Sequence, residues 1–404
     1  MARKVVAILG TLDSKGVEFA FLKKQIEAQG AATLVIDVGV LGPPHFTPEI
    51  RAAEVAEAGG SDLATLVAER DRGRALAVMA EGAAVVAGRL HEEGRIDGII
   101  SMGGGGGTAV GTAAMRALPV GVPKLMVSTL VSGDVSAYVG VKDITMMPSI
   151  VDIAGINRLS SRILTNAAGA IVGMVSAPLP ADTGDRPLIA ATMFGVTTPC
   201  VTRAREVLEA AGYEVLVFHA TGTGGRSMEE LVRGGYIAGV LDLTTTELAD
   251  ELVGGVLSAG PDRLEAVGEA GIPQVVSAGA LDMVNFGAPE TVPEAFRDRL
   301  FYRHNPQVTL MRTTVEENAE LGRIVGRKLS RATGPTVFMI PKGGVSLIDV
   351  AGQPFHDPQA DAALFDALRA TLGANVEIVE MDEDINADAF AVKAAELLLA
   401  RLAG

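Results

Sequence analysis

The chain has 404 residues, a formal net charge of −15, 48% hydrophobic and 21% charged residues, and no tryptophan. That length exceeds one ordinary core and predicts two domains. The composition excludes a disordered chain, and the charge speaks against nucleic acid, whose phosphates are held by clustered Lys and Arg.

A single cysteine, Cys200, rules out an intramolecular disulfide framework and suits a reducing compartment. The opening "MARKVVAILG" runs straight into a strand-like segment and does not read as a signal peptide. The charge-free stretch 163–181 is interrupted by prolines and glycines and is a poor membrane span. A cytoplasmic protein is expected.

In chain order, short apolar runs fall at 5–9, 33–36, 98–102, 124–127, 171–175, 188–193, 215–218, 237–241, 274–276, 308–311, 336–340 and 376–379. Helical spacing separates most of them. The segment 17–29, for example, puts Phe19, Leu22 and Ile26 on one stripe and stops at Gly30. Continuous apolar strands alternating with helices predict parallel sheets covered on both faces.

The chain also resembles itself. "VVAILGTLDSKG…" parallels "LIAATMFGVTTP…", "GRIDGIISMGGGGG" sits opposite "GGYIAGVLDLTTTE", and "VGVPKLMVST" opposite "AGIPQVVSAG". An ordered match of three blocks predicts two doubly wound, Rossmann-like α/β domains related by internal duplication. The boundary is expected in the Pro/Gly/Asp-rich stretch 177–187, giving domains 1–182 and 183–404. Ligands of such sheets bind beyond the carboxyl ends of the strands.

Five consecutive glycines, Gly103, Gly104, Gly105, Gly106 and Gly107, followed by Thr108, join a strand-like segment to its helix. Stripped of side chains, such a junction predicts a phosphate or carboxylate cradle made of backbone amides and a helix N-terminus. It lacks the lysine of the phosphate-loop motif and the acidic partner of a dinucleotide fingerprint. The bland alternative is an unliganded turn.

Gly10, Thr11, Asp13, Ser14 and Lys15 occupy the junction after the first strand, and Ser128, Thr129, Gly133 and Asp134 another. Glycines, hydroxyls, one lysine and two carboxylates on one sheet edge suit a nucleoside triphosphate, with Asp13 and Asp134 as magnesium-binding or ribose-binding candidates. Asp13 or Ser14 as a simple helix cap is the competing explanation.

The second half offers His219 and Arg226 in "FHATGTGGRSMEEL", His304 in "YRHNP", and Lys342 in "PKGGVSLIDVAGQPFHDP" together with Ser346, Asp349, His356 and Asp357. Arg226 suits a carboxylate, the histidines suit acid–base roles, and Lys342 suits a phosphate or, if desolvated, a Schiff base. Cys200, near a helix start, is a candidate nucleophile, although free cysteine is more often a small core residue. No His-x-His or Glu-x-x-His spacing is present, so no metal-ligand set is expected.

The blocks "GTLDSKGVEFAFLKKQIEAQG", "SMGGGGGTAVGTAAMRALPVGVPKLMVST", "DITMMPSIVDIAGINRLSSRIL" and "PKGGVSLIDVAGQPFHDP" resemble one family. It comprises the amino-terminal ATP-binding domain of the tomato mosaic virus resistance protein and its stand-alone bacterial relatives. The resemblance covers nearly the whole chain and implies two α/β domains, ATP bound to the first, and a homodimer. Three readings follow: an ATP-dependent enzyme of organic-acid metabolism with substrate loops on the second domain, a keto-acid lyase or hydrolase confined to that domain, or a non-catalytic, ATP-dependent protein-binding dimer.

Overall fold

The computed structural model describes residues 3–178 and 186–403. The chain divides into two compact units, Met1–Ala181 and Asp182–Gly404. The junction expected at 182–183 lies outside the described residues.

Unit 1 holds a five-stranded parallel sheet of β1 (Val5–Gly10), β2 (Ala32–Asp37), β3 (Gly98–Gly103), β4 (Lys124–Ser128) and β5 (Thr145–Pro148), in the order β2-β1-β3-β4-β5. Helices Gly16–Ala28 and Arg158–Ser176 bury Phe19, Leu22, Ile26, Leu164 and Ile171 in one core cluster. Helices Arg72–Glu92 and Gly105–Arg116 bury Met79, Val86, Val110 and Met115 in another. Each sheet face is therefore covered, which is why the strands read as continuous apolar runs.

The run 171–175, expected to be a strand, belongs to the helix Arg158–Ser176, whose start is fixed by Asn157 accepting the amides of Leu159 and Ser160 at 2.9 Å. A five-residue apolar run has no periodicity that separates a strand from a buried helical turn. The fifth strand is instead β5, a short edge strand with partly exposed side chains and hence no apolar signature.

Unit 2 contains β6 (Leu188–Met193), β7 (Glu214–His219), β8 (Ile237–Thr244), β9 (Gln274–Gly279), β10 (Met283–Phe286), β11 (Phe301–Asn305), β12 (Val308–Arg312), β13 (Thr336–Pro341) and β14 (Val376–Met381). Six form a parallel sheet in the order β14-β13-β9-β8-β6-β7. Read from β7, the first five strands repeat the winding order of unit 1. The run 308–311 is a strand, but it lies outside the parallel sheet. It is the middle of an antiparallel sheet, β10-β12-β11, inserted between β9 and β13.

Among the described residues, no helix is long and apolar enough to cross a membrane.

Candidate functional site

In an open doubly wound sheet the crevice opens where successive crossovers leave in opposite directions. In unit 1 that point lies between β1 and β3, paired with Leu9 opposite Ser101, and β3 pairs with β4 with Gly103 opposite Ser128. The three expected junctions therefore share one carboxyl edge.

The glycine run is a helix start rather than a loop. Gly103 ends β3, Gly104 is the N-cap in an extended conformation without a side-chain cap, and Gly105, Gly106 and Gly107 open the helix Gly105–Arg116. The amide of Thr108 makes the first intrahelical bond, to the Gly104 carbonyl at 2.8 Å. The amides of Gly105, Gly106 and Gly107 thus have no acceptor within the helix.

Packing explains only two of the five glycines. A Cβ on Gly103 would stand 2.7 Å from Gly107 Cα, and one on Gly107 would stand 3.2 Å from the Met102 carbonyl. At Gly105 a Cβ would meet nothing within 4 Å, at Gly104 only Thr129 Oγ1 at 3.6 Å, and at Gly106 the flexible tips of Leu76 at 3.3 Å and Arg72 Nη2 at 3.9 Å. Arg72 makes no side-chain hydrogen bond or ion pair among the described residues. An uncapped helix end lined by Thr129 and Arg72 is suited to an anion.

The neighbouring turns divide into structural and available groups. Gly10 is required by Phe19, whose ring would lie 1.9 Å from an added Cβ, so its smallness serves the core rather than ligand approach. Ser128 and Thr108 are buried and bonded to each other through their hydroxyls at 2.8 Å. Gly133 donates to the Leu130 carbonyl, and the exposed Asp134 accepts the Ser136 amide at 2.9 Å, a turn that explains both. Ser14 and Thr11 bond each other through their hydroxyls at 3.0 Å. Lys15 Nζ donates to the Ile153 carbonyl while Glu18 accepts the Gly155 amide, and together they hold the segment after β5 against the helix Gly16–Ala28.

Two carboxylates stand at the ends of β1 and β2. Asp13 Oδ2 accepts the Leu41 amide at 2.7 Å, whereas its Oδ1 is buried without a hydrogen bond among the described residues. Asp37, which the sequence reading passed over, is buried and accepts the amides of Leu12 at 3.1 Å and Gly39 at 2.9 Å through one oxygen. Burial pushes its carboxyl up, with the Asp13 charge adding and the amide bonds opposing. An acid closing an apolar strand was the available signal.

In unit 2 the equivalent crevice, between β6 and β8, is filled. Where unit 1 has glycines, β8 runs into Thr244, Thr245, Thr246 and Glu247, all fully buried. Thr197 and Thr244 share a hydroxyl bond of 2.8 Å across it. Glu247 Oε1 accepts the amides of Gly222 at 2.7 Å and Gly225 at 3.0 Å, so the protein's own carboxylate occupies the start of the helix Thr223–Arg233. Arg263, wholly buried, holds Glu247 at 2.7 Å and Asp242 through two bonds of 2.6 and 2.7 Å. The amides of Gly222 and Gly225 are thereby satisfied internally.

The residues singled out in the second half are dispersed. His219 is exposed at the end of β7 with its ring 5.3 Å from that of Phe194, and Arg226 is exposed on the following helix. Lys342 follows β13, four strands away from β7, which is roughly 19 Å at 4.8 Å per strand. It is solvated and paired with Asp382 at 2.5 Å, which raises its pKa, so the desolvated amine that a Schiff base needs is absent. His304 lies on the exposed edge strand β11.

Cys200 corrects the expectation of a nucleophile. It sits inside the helix Thr198–Ala210, fully buried, and burial pushes its thiol up to about 12. It is a core residue.

The less anticipated feature of unit 2 is an acidic cluster at the carboxyl ends of β9 and β13. Arg312 binds Asp349 at 3.0 Å and Asp361 at 2.9 Å, and Ser346 donates to Asp282 at 2.8 Å. Asp282 is fully buried, and its Oδ1 has no partner among the described residues. Burial pushes Asp282 up to about 8 and Asp361 up to about 7, each with the Asp349 charge adding. Ser346 and Asp349 were visible in the sequence, but their partners Asp282, Arg312 and Asp361 lie on other elements.

Two halves of one family profile match this chain. The N-terminal domain of the uncharacterised protein family UPF0261 covers residues 4–180 and its C-terminal domain residues 186–402. The chain belongs to the UPF0261 family. A UPF0261 protein of Clostridium tetani is 57% identical over 397 residues, 98% of both chains, and one of Rhizobium meliloti is 52% identical over 369 residues, 91% of both. The tomato protein described as ToMV resistance protein Tm-1(GCR237) is 46% identical over 309 residues, 75% of this chain but 41% of its own length. The resemblance read from the motifs therefore holds. Among solved structures, a UDP-N-acetylglucosamine 2-epimerase from Rickettsia bellii matches 68% of this UPF0261 chain and 79% of its own, at 9% identity and a TM-score of 0.24, too loose to bear on chemistry.

Proposed function

We propose that this UPF0261 protein binds ATP on unit 1, with the phosphates against the helix start at Gly104–Gly106. One observation carries the reading: these three glycines have no packing reason to lack side chains, and they leave unpaired amides at the sheet's switch point. Thr129 and Arg72 face the same turn. Thr11 and Ser14 offer hydroxyls from the adjacent junction, and the unpartnered Asp13 Oδ1 suits a water of a magnesium-bound nucleotide. When bound, ATP would supply a transferable phosphoryl group, and the chain's own amides and Arg72 would bind and orient it.

Unit 2 offers less to an acid substrate than its sequence suggested, because Glu247 already accepts the amides of Gly222 and Gly225. We therefore place an ATP-consuming reaction second to ATP binding. The expected homodimer belongs to the same proposal. Leu41 and Ile150, largely uncovered at 83% and 72%, lie on the same carboxyl edge, and Ile150 adopts a left-handed φ of 64°, uncommon for a branched side chain.

The test is Gly105→Asp. A carboxylate in the first turn favours the helix and meets no neighbour at this position, yet it repels phosphate. Calorimetry with magnesium ATP should register binding to the wild type and none to the variant, with the melting temperature kept. Equal binding by both proteins, or no heat from the wild type at millimolar ATP, would remove the reading.

A further inference from the structure

Unit 2 carries a groove to which none of the loops above contributes. Leu248 and Leu252 on the helix Glu247–Val253, Pro261 on the segment after it, and Ile324 on the helix Val315–Leu329 supply apolar lining. Its volume is about 440 Å³, inside the range of roughly 300–1,000 Å³ that small-molecule sites occupy.

The cations around this lining are not all paired. Lys328 Nζ is held by Glu265 and the Pro261 carbonyl, both at 2.5 Å. Glu251 accepts from the Ser258 hydroxyl. Arg327 reaches out of the groove to Glu320 at 3.0 Å. Arg331, one turn beyond Arg327, has no side-chain hydrogen bond or ion pair among the described residues. Of the three lining cations, Arg327 is paired with Glu320 and Lys328 with Glu265, which leaves the Arg331 guanidinium without an ion pair among the described residues, beside an apolar surface.

We propose that this groove binds an amphipathic monocarboxylate of the medium-chain fatty-acid class, its head on Arg331 and its tail over Leu248, Leu252 and Ile324. A guanidinium pairs with a carboxylate through two parallel bonds, and the apolar side chains reward a tail that is removed from water. A phosphate-rich ligand would gain nothing from that lining. The site is independent of the glycine turn and does not rest on the nucleotide reading.

Octanoate is the probe. Titration calorimetry on the full chain should show saturable binding, weakened about tenfold or more in Arg331→Ala, the scale of one lost charge-assisted bond. Octan-1-ol, with the same tail and no charge, should bind more weakly by a similar factor, and octylammonium should not compete. Arg331 is exposed, so Arg331→Ala should keep the wild-type melting temperature, and Arg331→Lys should recover part of the affinity. Absence of octanoate binding, equal binding by Arg331→Ala, or octan-1-ol binding as well as octanoate would overturn the proposal.

Discussion

The Glu247 carboxylate stands 2.7 Å from Arg263 Nε, and neither side chain reaches water. The same carboxylate receives the Gly222 and Gly225 amides, so it joins the ends of β7 and β8 to a buried cation. Removing one partner of such a pair strands the other, at a cost of about 3–5 kcal/mol. Glu247→Ala should lower the urea unfolding free energy by that order. A loss below about 1 kcal/mol would show that Arg263 is satisfied by Asp242 alone.

The glycines of unit 1 should separate into two classes on substitution. Gly103→Ala forces a contact of 2.7 Å with the Gly107 backbone and should destabilise by about 1–3 kcal/mol. Gly105→Ala meets nothing and should leave stability unchanged or raise it by up to ~1 kcal/mol through helix propensity. Thermal melts of the two variants side by side make the comparison.

Arg72 and Lys15 should also differ. Arg72 faces the glycine turn without a side-chain partner among the described residues, whereas Lys15 Nζ is committed to the Ile153 carbonyl. On the nucleotide reading, Arg72→Ala lowers ATP affinity about tenfold with stability within ~0.5 kcal/mol of wild type. Lys15→Ala should cost ~0.5–1.5 kcal/mol of stability and less affinity than Arg72→Ala. Filter-binding and denaturation curves on the same preparations separate these effects.

The acidic cluster around Arg312 should give the protein a pH-dependent stability. Asp282, pushed up to about 8, and Asp361, pushed up to about 7, start from an ordinary 3.8. Folded pKa values above the unfolded ones mean that the folded state binds more protons in between. The contribution is therefore complete below about pH 4 and is lost as pH rises toward 8, with a slope of up to about 1.4 kcal/mol per pH unit per proton. Asp282→Asn should flatten the upper part of that slope. Urea midpoints between pH 5 and 9 would show it, and a wild-type curve rising over that interval would contradict it.

Cys200, sealed in the core with its thiol pushed up to about 12, should resist iodoacetamide at pH 8 until the chain unfolds. Rapid labelling of the native protein would place the thiol outside the core.

Much of the fold was legible because parallel strands covered on both faces must be apolar throughout, and because the stripe of Phe19, Leu22 and Ile26 needs a sheet to lie on. The run 171–175 misled because buried helices share that composition, and β5 was missed because an edge strand need not be apolar. The antiparallel insertion gives no signal in its isolated strand 308–311, since its pairing is decided by distant β10 and β11. The location of the glycine turn could be read from strand, glycines and helix in sequence. Arg72 could not, because only the packing of the helix Arg72–Glu92 against the helix Gly105–Arg116 brings it there. The internal occupant of the Gly222 and Gly225 amides was equally illegible, because the approach of Glu247 depends on tertiary structure.

Asp37 gives unit 1 a built-in gauge. A single oxygen atom bridges Leu12 and Gly39, so the turns after the first two strands are yoked, and a tug on one must register on the other. Deuterium uptake at those two positions should therefore rise or fall together, reporting from inside the chain any occupant that grips the neighbouring edge.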